Sequence, residues 1–95
     1  MWIVDVPTAN GSRYLQQLCR HWSHKFSVTF TETEGEIGDF VFGPLTLRAS
    51  PDALTVAFDP LPDADVDRAR QVIANHLDRF AFREAPLPFD WREIR

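Results

Sequence analysis

The sequence predicts an α+β fold: a two-layer sandwich with two helices on one face of a mainly antiparallel sheet of five to six short strands, in the order β-α-β-β-β-β-α-β. Three observations predict it. Apolar side chains alternate with a period of two in several short stretches, and two longer stretches repeat with the period of a helix. The breaks between the central strands are too short for parallel crossovers.

The chain opens with Trp2, Val4 and Val6 alternating with Ile3 and Asp5, a strand that Pro7 ends because it has no N–H to donate. Pro7 to Ser12 is turn chemistry, with Asn10 or Ser12 placed to cap a helix. From Arg13 to about Lys25, Leu15, Leu18, Cys19 and Trp22 share one helical arc with Tyr14 at its edge, and Arg13, Gln16, Gln17, Arg20 and His24 take the solvated side. Phe26, Val28 and Phe30 then alternate with Ser27, Thr29 and Thr31 as a half-buried strand. Glu32 to Glu36 reads as an acidic turn that Gly35 serves. A strand through Ile37 to Phe42, a break at Gly43-Pro44 and a strand carrying Leu45, Leu47 and Ala49 follow. Ser50-Pro51-Asp52 turns the chain into Leu54, Val56 and Phe58, so these four strands form a meander. The second helix begins near Asp63, where Asp63, Asp65 and Asp67 complement the helix dipole, and ends near Arg79 to Phe82. Val66, Ala69, Val72, Ile73, His76, Leu77 and Phe80 lie on one of its faces. Leu87, Phe89 and Trp91 close the chain as a strand in which Pro86 and Pro88 suit an edge.

The 95 residues suit one domain over 1–95. Hydrophobic residues make up 44%, including eight Phe, three Trp and one Tyr, which excludes disorder as a global description. Trp2, Trp22, Phe26, Phe30, Phe58, Phe80, Phe89 and Trp91 are the expected core aromatics. A net charge of -4 gives no general attraction to phosphate backbones or anionic lipid, and the arginines are scattered over outer helix faces. No nucleic-acid or membrane partner is therefore expected. The acidity is local: residues 32–67 hold nine acidic side chains and one basic, whereas both ends are mildly basic and hold all three histidines. An anionic ligand belongs near the helices. The single Cys19 and the absence of a basic, apolar leader at Met1 to Asp5 point to the cytoplasm.

The densest polar run is Cys19-Arg20-His21-Trp22-Ser23-His24. On a helix His21 and His24 share a face and so form a candidate metal pair, but Cys19 projects away from them and two ligands are too few for a zinc site. The alternative is a helix end whose histidines hydrogen-bond or meet solvent. His76 falls within the apolar stripe of the second helix, where an imidazole must find a partner or line a pocket. Cys19 sits on the apolar arc and reads as a small core side chain rather than a nucleophile. No nucleotide-binding, hydrolase or zinc-protease motif occurs, so a non-enzyme without a cofactor is the favoured reading.

Two blocks, Ser12 to Phe26 and His76 to Glu84, with the closing Phe89-Asp90-Trp91-Arg92, resemble a small bacterial family catalogued as domain of unknown function 2218. The resemblance covers nearly the whole chain; Pro60-Leu61-Pro62 departs from it by stiffening the approach to the second helix. It implies a cytoplasmic domain of about this length with no assigned activity. It also implies a link to siderophore-interacting flavin reductases, with His21, His24 and His76 as the matching polar positions. If the two helices lie side by side, His21 or His24 meets His76 or Arg83 across them, making a small ligand or metal site. The rival class is a protein-interaction module, monomeric or homodimeric, that docks on a reductase.

Overall fold

The computed structural model describes residues 1–94. Its elements are β1 (Trp2–Pro7), α1 (Gly11–Trp22), β2 (Val28–Phe30), β3 (Glu34–Ile37), β4 (Leu45–Ala49), β5 (Ala53–Phe58), α2 (Val66–Phe80) and β6 (Arg92–Glu93). The sheet is antiparallel throughout, in the order β2-β3-β4-β5-β1-β6. The meander from β2 to β5 is the one the sequence predicts. β1 then pairs with the free side of β5, and β6 caps β1.

Register gives the sheet an inner and an outer face. One inner row runs Gly35, Leu47, Val56, Val4 and a second runs Ile37, Leu45, Phe58, Trp2. Both helices cover this face. Leu15, Leu18, Cys19 and Trp22 of α1 and Ala69, Ile73 and Leu77 of α2 complete one core with these strands. Each fully buried aliphatic or aromatic side chain contributes roughly 1.5–3 kcal/mol of transfer free energy. Trp22 lies against His76 while Tyr14 hydrogen-bonds Glu84, so the helices run antiparallel.

Several local expectations are corrected. The helix expected over Arg13 to Lys25 starts at Gly11 and stops at Trp22, where Ser23 N–H donates to the Cys19 carbonyl and Phe26 N–H to that of Trp22. Asn10 occupies the cap position but its side chain makes no cap hydrogen bond; its Nδ2 instead donates to Glu84 at 3.1 Å. α2 begins at Val66 rather than near Asp63, since it is Asp65 whose carboxylate accepts from Arg68 N–H at 3.1 Å. The acidic turn is confined to the residues before Glu34; Glu34 to Ile37 form a strand, and the strand expected through Phe42 ends at Ile37. Gly35 is not a turn glycine. A Cβ there would stand 2.8 Å from Cys19 Sγ, so its missing side chain lets α1 rest on β3.

Leu87 to Trp91 form no strand. Pro86 and Pro88 offer no donors, and Leu87 N–H is taken by the Asp78 carboxylate at 2.9 Å; pairing resumes only at Arg92 and Glu93. The aromatic core is also smaller than expected. Trp22 and Phe58 are buried, Trp2, Phe26, Phe80, Phe89 and Trp91 are partly buried, and Phe30, on the edge strand, is 36% exposed. Tyr14 and Phe40 are buried in addition. Among the described residues, no helix is long and apolar enough to cross a membrane.

Candidate functional site

The last turn of α1 carries His21 and Trp22, and the middle of α2 carries His76 and, one turn later, Phe80. Antiparallel packing brings them together. The imidazole centroids of His21 and His76 are 5.5 Å apart, Phe80 meets His21 edge-on at 5.9 Å, and Trp22 lies 5.0 Å from His76. Phe40 stacks on the far side of Trp22 at 4.9 Å, so the loop after β3 backs the junction. The rings of Trp22 and His21 flank His76, and its Nδ1 lies 2.7 Å from the Val72 carbonyl. A carbonyl only accepts, so Nδ1 carries the proton and Nε2 of the neutral ring keeps a lone pair for another partner.

The site is short of negative charge. Burial holds the His21 imidazole below its ordinary value of 6.5, and the charges of His76, Arg79 and His24 push the same way. All three are basic, so an anion seated between the imidazoles would relieve their repulsion. Gln17, one turn before His21, has a buried Oε1 with no donor among the described residues.

The structure thus unites two of the four residues singled out from sequence. His24 is exposed in the turn after α1 and acts on His21 through its charge. Arg83 lies beyond α2, with its guanidinium 5.7 Å from the Phe82 ring centre. Arg79, one turn after His76, adds its charge to those that bear on His21. Gln17 was assigned to solvent, and nothing in the sequence marks its orphaned oxygen. Among the described residues, no group of three His, Cys, Asp or Glu side chains is gathered to hold a metal. Cys19 faces the core, where burial pushes its thiol up to about 11.

A second polar cluster escaped sequence reasoning because its members are some seventy residues apart. The Glu84 carboxylate accepts from Thr8 Oγ1 at 2.9 and 3.1 Å, from Asn10 Nδ2 at 3.1 Å and from the Tyr14 hydroxyl. It ties the loop between β1 and α1 to the turn after α2. The Tyr14 bond and the Asn10 bond, in that order, hold Glu84 below its ordinary value of 4.5. This stabilisation is present above that value and lost as pH falls through the lowered one. Glu84→Ala strands the hydroxyls of the buried Thr8 and Tyr14 and is expected to cost roughly 1 kcal/mol at neutral pH, the low end for such a loss because the carboxylate is exposed. Urea unfolding measures it, and Glu84→Gln should flatten the acid limb of the stability curve.

Residues 4–92 match the family described as an uncharacterized protein conserved in bacteria, DUF2218. No curated protein matches the chain. Among solved structures, the NMR structure of PA4090 from Pseudomonas aeruginosa is similar, with a TM-score of 0.76, 32% sequence identity, and coverage of 96% of this chain and 93% of that one. A family match over residues 4–92 and a solved structure that shares the fold at 32% identity over nearly the whole chain lead to one statement: the chain belongs to the uncharacterised bacterial family DUF2218.

Proposed function

We propose that this protein is a non-catalytic binding domain whose site is the α1–α2 junction, and that its ligand is a small anion-bearing chelator of the siderophore kind. One observation carries the reading: two imidazoles from distant parts of the chain stand 5.5 Å apart among basic groups, beside aromatic rings suited to a flat ligand. The choice of siderophore follows from the family resemblance, which links these domains to siderophore-interacting reductases.

Isothermal calorimetry with ferric siderophores, ferric iron alone and zinc alone tests this. A ferric siderophore is expected to give saturable heat, and the double variant His21→Ala with His76→Ala to weaken binding about tenfold or more. An anion favours the charged imidazole, so affinity should rise as pH falls from 8 towards 6. Absence of heat from every siderophore would sink the reading. The rival, a docking module for a reductase, draws support from the exposure of Phe82 at 72%, Val41 at 62% and Leu61 at 52%. A reductase pull-down separates the two.

A further inference from the structure

The face of the sheet opposite the helices is uncovered, and its register sorts charge in a way the helix side does not. One outer row runs Glu34, Arg48, Thr55, Asp5 across β3, β4, β5 and β1. Arg92 of β6 extends it through a 3.3 Å ion pair with Asp5. The order is negative, positive, neutral, negative, positive. Turned end for end about Thr55, it becomes positive, negative, neutral, positive, negative. A two-fold axis parallel to β5 therefore sets every charge of this row over its opposite on the other copy. Glu34 and Glu36, two residues apart on β3, face Arg92 of the second copy, Arg48 faces its Asp5, and Thr55 meets Thr55. The reverse order of signs at either end would have set like on like.

Shape follows the same symmetry. A hollow of about 560 Å³ on this face is lined mainly by β2, β3 and β4, with Thr55 and Ala57 among its remaining lining residues. Asp5 and Arg92 stand outside it. The hollow is thus off-centre, and the axis lays the Asp5–Arg92 end of one copy over the hollow of the other. Near the axis the side chains are small, Thr55 and Ala57, which lets two twisted sheets stack with strands within about 30° of each other. The internal pairs leave room to re-pair: Arg48 and Glu34 are 3.9 Å apart and largely exposed. We propose that this protein associates with a second copy of itself, outer sheet face to outer sheet face, about a two-fold axis parallel to β5. The interface is polar and charge-steered, so it strengthens as salt is lowered.

Sedimentation of the full chain from micromolar to millimolar concentration, at low and high salt, tests this directly. A dimer with a salt-dependent dissociation constant is expected. Arg48→Asp and Asp5→Arg, each placing like charges face to face, should raise that constant about tenfold or more. The double variant Asp5→Arg with Arg48→Asp restores the opposed pair and should recover most of the affinity, with circular dichroism confirming that all three fold. A wild-type monomer at millimolar concentration and low salt would overturn the proposal without any variant, leaving the face to solvent or to a different protein. It would equally be overturned by a dimer that ignores the single reversals, or by a double variant no better than either single one.

Discussion

Gly43→Ala is expected to lower stability by roughly 3 kcal/mol or more, because it combines backbone strain with an overlap that nothing can relieve. Gly43 has φ 135°, a conformation L side chains rarely adopt. An added Cβ would stand 2.9 Å from Leu61 N and 3.0 Å from Pro60 Cα, and closer still to the Asp59 carbonyl. All three are backbone atoms of a segment already fastened to this loop, since Leu61 N–H donates to the Phe42 carbonyl and Asp59 N–H to that of Pro44, each at 3.0 Å. Either the loop or the segment must move, and Phe40, which backs Trp22, moves with the loop. Gly38→Ala is the control: a Cβ there has nothing within 4 Å, and its effect should stay within about 0.5 kcal/mol. Denaturant titration of both variants decides the matter, and equal midpoints would refute the account.

Trp22→Ala should cost roughly 3–5 kcal/mol, the range for emptying a buried aromatic position. Trp22 is 4% exposed and touches Phe40, His76 and Phe26 at centroid distances of 4.9, 5.0 and 6.0 Å. It is the wall that holds His76 beside His21. Its loss should free the His76 ring to move away from His21, remove part of the charge that opposes protonation there, and let the His21 imidazole drift up towards its ordinary 6.5. With the folded value depressed, the neutral ring contributes stability above 6.5 that is lost as pH falls through the lowered value; Trp22→Ala should blunt that loss. NMR titration of the histidine rings reports the shift separately from thermal unfolding. Trp22→Phe should restore most of the stability, and a His21 titration unmoved by Trp22→Ala would disprove the coupling.

What the sequence revealed was whatever repeats. β4 and β5 alternate strictly, and the buried residues of α1 recur at helical spacing, so both faces were visible before any coordinates. Phe40 was misplaced for the same reason. Alternation carried the strand past Ile37, whereas Phe40 in fact folds back on Trp22, a contact between residues eighteen apart that no local pattern encodes. Glycine has no side chain to mark a face, so its neighbours in sequence suggest a turn at Gly35, and the approach of Cys19 shows that it serves packing instead. In the candidate site, His21 and His76 were legible as the polar members of two apolar stripes. Pattern alone does not single out Arg79, whose charge bears on His21, from Arg83, because both fall near the end of α2.

The seating of Cys19 on Gly35 has a consequence for measurement. The thiol is sealed between helix and sheet, fully buried and held protonated, so an aqueous alkylating reagent meets it only when α1 lifts from β3. With reagent in modest amount, the labelling rate at this one position then reads the free energy of that opening under native conditions. The chain carries its own reporter of how often its two layers part.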